Sequence, residues 1–222
     1  MKKFGLVGKS LAHSFSKDFF NNMFKNQQIS AKYLNFELDK ISSFKSLFAN
    51  NDIYGLNVTI PYKEKVLPYL DKLDNISKKI GSVNTILPFY KDEKIHFLKG
   101  YNTDVFGFDQ LIKPYLRPYH SRALILGTGG SSKAVSYVLK LYNIDVNYIS
   151  RERYRYVHNF FSWKDLNNNI VKNHSLIINT TPIGMFPNQF QEMNFPYQYI
   201  TKNHLVIDLI YNPVQTIFLK KS

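Results

Sequence analysis

Lys63 and Asp104 are the residues of this chain best suited to moving a proton. Each closes a short segment, Asn57-Val58-Thr59-Ile60-Pro61-Tyr62-Lys63 and Gly100-Tyr101-Asn102-Thr103-Asp104, in which an apolar run ends in a cluster of polar groups. A lysine and an aspartate at strand or loop ends can share a proton with a substrate hydroxyl, and Asn57, Thr59, Asn102 and Thr103 supply neutral donors and acceptors around them. Such a cluster suits a polyhydroxylated ligand. The plain alternative is a surface ion pair, which is common in proteins at large.

A second constellation rests on backbone. Ala123-Leu124-Ile125-Leu126 runs straight into Gly127-Thr128-Gly129-Gly130-Ser131-Ser132-Lys133-Ala134, and the helix it opens carries Ala134, Val135, Val138, Leu139 and Leu141 on its apolar side. Gly127 permits a tight turn and Gly129 lets backbone amides approach a pyrophosphate. Gly130 and Ser131 open the helix, whose N-terminus adds donors and a favourable dipole. Ser132, small but not glycine, takes the third position of the G-x-G-x-x-G fingerprint. Glycines in a tight turn can be merely structural; here the strand, the helix and the next strand all fall where the fingerprint needs them. That next strand ends at Ile149-Ser150-Arg151, where an NAD-selecting fold would set an acidic side chain against the ribose 2′-hydroxyl. Ser150 and Arg151 suit a 2′-phosphate instead, because a guanidinium can fork onto phosphate, so the expected cofactor is NADP. Arg153 and Arg155 could add positive potential, which Glu152 opposes; the alternative for all three arginines is a solvated loop.

The elements that must position these groups alternate. Phe4 to Val7 reads as a strand closed by Gly8, followed by a polar loop from Lys9 to Ser16 and a helix carrying Phe19, Phe20, Met23 and Phe24. Leu34, Phe36 and Leu38 predict a second strand, Phe44, Leu47 and Phe48 a second helix, and Gly55 to Ile60 a third strand stopped by Pro61. Ser82 to Tyr90 and Ile95 to Tyr101 flank the polar turn Lys91-Asp92-Glu93-Lys94, a hairpin added to an otherwise parallel sheet. Asp104 to Leu116 fits a helix disturbed by Pro114 and Pro118 and serves as the joint between lobes. Beyond it, Ala123 to Leu126, Val146 to Ile149, Leu176 to Ile178 and Leu205 to Leu209 read as short buried strands separated by helices. The expected class is α/β in two lobes: residues 1–103 as a mixed-sheet substrate-binding and catalytic domain, and 104–222 as a Rossmann-like NADP-binding domain.

Composition narrows the function classes. At 222 residues the chain can form two lobes of ordinary size, and a hydrophobic fraction of 44% is ample for cores. The formal charge of +13 raises nucleic acid or an anionic membrane as partners. The lysines, however, are spread along the chain and the aromatic residues sit inside apolar periodic runs, so neither partner is expected, and a basic surface serves small anionic substrates as well. With no cysteine there are neither disulfides nor thiolate metal sites, and Met1-Lys2-Lys3-Phe4-Gly5 lacks the apolar run of a signal peptide or membrane helix. The expectation is a cytoplasmic protein, monomeric or homodimeric, without a metal: the scattered histidines show no ligand spacing, and His13 reads as structural.

Several separate motifs resemble those of the shikimate dehydrogenases over essentially the whole length. Gly8-Lys9-Ser10-Leu11-Ala12-His13-Ser14-Phe15-Ser16 is similar to the family's H-S-x-S loop, Asn57 to Lys63 to N-V-T-x-P-x-K, Gly81-Ser82-Val83-Asn84-Thr85 to G-A-x-N-T, and Gly100 to Asp104 to G-x-N-T-D. Asn179-Thr180-Thr181-Pro182-Ile183-Gly184-Met185 resembles N-x-T-P-x-G-M, and Asp208-Leu209-Ile210-Tyr211-Asn212-Pro213 resembles D-x-x-Y-x-P. The resemblance implies reversible, NADP-dependent interconversion of 3-dehydroshikimate and shikimate, a step towards chorismate and the aromatic amino acids. It implies that Ser14 and Ser16 hold the ring carboxylate, that Thr59, Asn84 and Asp104 hold hydroxyls, and that Lys63 serves the reacting end. It also implies that Asn179, Thr180 and Met185 lie at a strand end facing the cofactor cleft, Met185 beside the nicotinamide with Ile210 as apolar cover, and that Tyr211 bonds the substrate carboxylate. The alternative is packing for the first four and, for Tyr211, a buried phenol satisfied by backbone.

Two departures stand out. Lys17 replaces the family's usual proline after the second serine, which loosens the loop without removing a ligand. Related proteins also continue past the position of Ser222 into a strand and a helix that returns to the first lobe, a segment carrying a glutamine that touches substrate. Three rival readings remain at this level: an NAD-preferring quinate or shikimate dehydrogenase, a truncated dinucleotide-binding homologue with little turnover, and a basic nucleic-acid binder.

Overall fold

A computed structural model describes residues 1–12, 14–49, 52–151 and 159–222. The chain divides into two compact units, Met1–Asp104 and Val105–Ser222. His13, Glu152, Arg153 and Arg155 lie outside the described residues.

The first unit begins β1 (Lys2–Gly8), α1 (Phe15–Asn26), β2 (Ala31–Glu37) and, after a 3-10 turn, α2 (Ser46–Ala49). It continues β3 (Ile53–Val58), β4 (Lys72–Leu73), α3 (Asn75–Ile80), β5 (Thr85–Lys91) and β6 (Lys94–Tyr101). The sheet runs β2-β1-β3-β5-β6-β4; β1 pairs parallel with β2 and β3, while β5 is antiparallel to both β3 and β6. The mixed sheet expected from the hairpin is present, with the turn between Lys91 and Lys94. One face is covered by α1, whose Phe20, Met23 and Phe24 pack on Leu6 and Tyr33. The other buries Val7, Phe44, Leu56, Val58, Val66, Val83 and Ile86, each such side chain contributing roughly 1.5–3 kcal/mol by leaving water.

The second unit follows with α4 (Asp104–Ile112), which starts at the boundary, then β7 (Arg122–Leu126), α5 (Gly130–Leu141), β8 (Asp145–Ser150) and β9 (Phe160–Ser162). After these come α6 (Asn168–Lys172), β10 (Leu176–Asn179), β11 (Leu205–Asp208) and α7 (Ile217–Lys221). Its sheet, ordered β11-β10-β7-β8-β9, is parallel throughout. Ala123 to Leu126 and Leu176 to Ile178 have no exposed surface, as the central strands of a parallel sheet covered on both faces must. Strand order reverses between β7 and β10, so the carboxyl ends of those two strands frame the crevice where such sheets take ligands.

The structure departs from the sequence pattern at several points, among them the helix expected over Asp104 to Leu116, which ends at Ile112 and passes into a 3-10 turn at Lys113–Tyr115. The helix expected at Phe44 to Phe48 is a 3-10 turn at Ile41–Ser43 and the single turn α2, held because Phe44 is fully buried and not by length. Between β10 and β11 there is only a 3-10 turn at Tyr197–Tyr199; Pro182, Pro187 and Pro196 withdraw the backbone donors a helix would need. Conversely α3 forms where no helix was expected. Asp74 caps it by accepting from the Ser77 amide at 2.8 Å, and Gly81 ends it in the left-handed conformation. Among the described residues no helix is long and apolar enough to cross a membrane.

Candidate active site

Lys63 is positioned by the turn that leaves β3. Thr59 N–H bonds Val7 O at 2.9 Å, extending the strand pairing, and the chain then folds through a cis Ile60–Pro61 bond while Tyr62 N–H returns to Thr59 O at 2.9 Å. Val83 N–H holds Lys63 O at 2.8 Å, tying that turn to the approach into β5. Gly8 permits it: a Cβ there would sit 2.8 Å from the Thr59 methyl and 2.6 Å from Leu11.

Asp104 arrives as the first residue of α4, and Lys63 Nζ meets its Oδ2 at 2.7 Å with the lysine side chain 15% and the aspartate 32% exposed. Asn84 supplies the other half of the clamp. Its N–H bonds Tyr101 O at 3.0 Å and its carbonyl accepts from Val58 N–H at 2.8 Å, so its backbone bridges the ends of β3 and β6. Its side-chain Nδ2 donates to Asp104 Oδ1 at 2.8 Å, while Oδ1 accepts the Thr103 N–H at 2.9 Å. A backbone N–H can only donate, so that contact fixes which way the Asn84 amide faces. Each carboxylate oxygen of Asp104 is thereby held by one donor, and Lys63 is pinned at the end of a rigid polar ladder.

The ladder extends further than the sequence showed. Thr85 Oγ1 donates to Asn84 Oδ1 at 3.0 Å, Asn57 Nδ2 to Thr85 Oγ1 at 3.3 Å, and the Tyr33 hydroxyl to Asn57 Oδ1 at 2.7 Å. Tyr33 is buried in β2, stacked on Phe20, with its backbone clamped by the Asn21 side chain. Only the general need of a buried phenol for a partner could have flagged it. Asn102 instead donates to Ser82 O at 3.0 Å, which braces the loop carrying Thr103 and Asp104.

Ser14 stands at the N-cap of the twelve-residue α1, with its N–H on Leu11 O at 2.9 Å; Leu11 itself is gripped by Asn35 and Glu37. The Ser14 hydroxyl does not cap the helix and, though buried, has no hydrogen-bond partner among the described residues. An orphaned buried hydroxyl is worth about 1–3 kcal/mol of lost stability. With Ser16 two residues further, in the first turn, the amides and dipole of this terminus suit an anion such as a carboxylate.

The second unit gathers the glycine loop at the carboxyl ends of β7 and β10. Gly127 has φ +106°, and a Cβ on it would lie 2.9 Å from Thr180 Oγ1 and 3.0 Å from Thr181. Thr180 in turn donates both N–H (2.9 Å) and hydroxyl (2.7 Å) to Leu126 O, locking β10 to the residue before the turn. A Cβ on Gly129 would meet nothing within 4 Å, so the space in front of that backbone is open. Gly130 begins α5, no side chain caps it, and Ser132 turns its hydroxyl back to Gly129 O at 2.6 Å. An open cradle, a strand-to-helix turn and a twelve-residue helix aimed at it fit the phosphates of a dinucleotide. Ser131 lies in the first turn, Ser150 is buried at the end of β8, and Arg151 follows it exposed. Ile210 is buried, Met185 is 38% and Tyr211 63% exposed.

A surface cavity of about 560 Å³ opens at the other edge of this sheet, where Arg122 and Asp145 begin β7 and β8. His174 lines it, with Nδ1 on Ile170 O at 2.6 Å and Nε2 on Asn147 Oδ1 at 2.9 Å. Burial first, and the Arg122 charge after it, hold this imidazole below its ordinary pKa, against the Ile170 hydrogen bond. Lying at the amino ends of the strands, this cavity is separate from the glycine loop.

Residues 6–86 match the model of the shikimate dehydrogenase substrate binding domain. Over 238 residues the chain is 35% identical to a protein of Methanosphaera stadtmanae named shikimate dehydrogenase (NADP(+)), the match covering 98% of this chain and 81% of that one. A Clostridium perfringens protein of the same name is 36% identical over 100% of this chain and 83% of its own. Among solved structures, shikimate dehydrogenase 1 from Peptoclostridium difficile superposes with a TM-score of 0.82 at 36% identity, covering 100% of this chain and 81% of that one. The Thermus thermophilus shikimate 5-dehydrogenase in complex with NADP(H) and shikimate does so with a TM-score of 0.81 at 25% identity, over 100% and 83%. With such identity across both units and most of its relatives' length, the chain belongs to the shikimate dehydrogenase family.

Proposed function

We propose that this chain catalyses the reversible NADPH-dependent reduction of 3-dehydroshikimate to shikimate, a cytoplasmic step towards chorismate and the aromatic amino acids. The observation that carries the reading is the Lys63–Asp104 pair at 2.7 Å, with Asn84 holding the second carboxylate oxygen. Bound NADPH supplies the hydride. Lys63 gives its proton to the oxygen of the ketone as that oxygen gains charge, and takes it back in the oxidative direction. Asp104 keeps the ammonium aimed and accepts from a substrate hydroxyl; Thr59 and Asn84 hold neighbouring hydroxyls. Ser14 and Ser16 receive the ring carboxylate at the N-terminus of α1, which would give the orphaned Ser14 hydroxyl its partner.

In the second unit Gly127, Gly129, Gly130 and Ser131 hold the pyrophosphate, Ser150 and Arg151 the 2′-phosphate, and Thr180, Met185 and Ile210 the nicotinamide side. Arg151 sets the preference for NADP over NAD through charge-assisted hydrogen bonds that NAD cannot make. The direct test follows reduction of NADP by shikimate through nicotinamide absorbance, with NAD and quinate as controls. Turnover fastest with shikimate and NADP supports the reading. A folded chain that binds both but never reduces NADP refutes it, and a preference for NAD or quinate reassigns the substrate or cofactor.

A further inference from the structure

The motif that closes β11 puts a carboxylate where none of the chemistry above uses one. Asp208 Oδ1 accepts from Asn179 Nδ2 and from Ile210 N–H, both at 3.0 Å, and Oδ2 accepts from Thr216 Oγ1 at 2.6 Å. Its donors are themselves fixed. Asn179 has no exposed surface, and its Oδ1 takes both the N–H and the hydroxyl of Thr181, at 2.9 and 2.7 Å. Thr216 is equally buried and caps α7, its Oγ1 accepting from Leu219 N–H at 3.3 Å. One carboxylate therefore joins the carboxyl ends of β10 and β11, the Thr181 turn, the segment holding Ile210 and the start of α7.

Burial pushes the Asp208 carboxyl above its ordinary pKa, and the three hydrogen bonds pull back without cancelling that rise. Among the described residues no cation forms an ion pair with it. Burying an unpaired charge opposes stability, and a neutral or apolar knot would hold the same loops at lower cost. What a carboxylate adds is polarity of direction: both oxygens only accept, so all three donors must turn inward and the Asn179 amide cannot flip. The turn so fixed begins with Thr180, which is bonded to Leu126 O and stands against Gly127.

We propose that Asp208 is a positioning residue of the cofactor site, setting through Asn179 and Ile210 where the 180–185 and 210 segments stand for the dinucleotide. This rests on the NADPH reading given above. Asp208 touches no reacting atom in it; it acts on affinity through the loops it ties.

The experiment is direct titration of NADPH by its fluorescence, beside Michaelis constants for NADPH and shikimate, on the full chain and its variants. Asp208→Ala should weaken NADPH binding by about tenfold, since it removes the acceptor of three hydrogen bonds to a charged group, and change the shikimate constant much less. Asp208→Asn keeps an acceptor for Asn179 and Ile210 and should bind NADPH closer to the wild type. Thr216→Val removes one donor with little change of shape and should fall between the two; it decides the matter if Asp208→Ala does not fold. Wild-type NADPH affinity in Asp208→Ala or Thr216→Val overturns the proposal, as do equal losses in the alanine and asparagine variants. A wild-type chain that binds no NADPH refutes the cofactor reading itself, before any variant is compared.

Discussion

The two functional regions are built from different material. In the first unit the site is a matter of side chains: an ammonium, a carboxylate and an amide locked by contacts of 2.7 to 2.8 Å at the ends of β3, β6 and α4. In the second it is a matter of backbone. A turn only glycine can make, an uncapped helix start and a buried carboxylate knot leave a cradle with few side chains of its own. The lesson is that substitutions should separate the two. Changes in the first unit should remove chemistry and spare the cofactor; changes in the second should remove affinity or fold and spare the chemistry.

The largest expected effect lies with the charged pair. Lys63→Ala should lower turnover by about a hundredfold or more, the scale of a lost proton-transfer group. Asp104→Asn should follow in the same direction, because a neutral carboxamide has one acceptor oxygen for the two donors and no charge to hold the ammonium. Steady-state oxidation of shikimate measures both, and a variant with near wild-type turnover would mean that the 2.7 Å pair is only structural.

Arg151 sharpens the comparison from the other side. Arg151→Ala should weaken NADP much more than NAD, by about ten- to a hundredfold, since charge-assisted hydrogen bonds to phosphate are worth roughly 1.5–3 kcal/mol. Paired titrations with the two cofactors read it out, and equal losses for both would place the preference elsewhere. Gly127→Ala should destabilise the second unit by at least roughly 1–2 kcal/mol, the penalty of a left-handed backbone for a residue with a Cβ. The collision at 2.9 Å with Thr180 Oγ1 adds to that. A melting temperature equal to wild type would show that the turn tolerates a side chain.

How much of this was legible follows from where the information resides. That Lys63 and Asp104 meet, with Asn84 beside them, could be anticipated because all three stand in polar motifs that close strand ends. Tyr33 could not: its phenol reaches Asn57 across β1, and only the order β2-β1-β3 brings the two near. Asp208 was visible in a motif without a role, because its partners Asn179 and Thr216 meet only once β10 and β11 pair. The edge strands β4 and β9, of two and three residues, are too short to show alternation. Asp74 and Gly81 did carry the signals for α3, an N-cap and a left-handed C-cap at helical distance.

The smallest effect concerns pH. The folded-state pKa of His174 lies below the ordinary 6.5, so its neutral form contributes stability that is present above about pH 6.5 and is lost as pH falls through the folded value. Burial lowers His120 in the same sense, with Arg117 adding to it. His174→Gln, which cannot charge, should flatten part of the decline in melting temperature on acidification, while NADPH affinity at neutral pH stays as it was. An unchanged slope would mean that His174 is not among the groups that titrate on unfolding.

The division between the units is tested most directly by one titration: NADPH binding to Lys63→Ala, measured by nucleotide fluorescence on the protein whose turnover has just been assayed. Wild-type affinity for NADPH is expected in a chain that has lost its turnover with shikimate, because the glycine loop owes nothing to the lysine. Affinity that falls in step with turnover would contradict it, and would mean that the two regions cannot be broken separately.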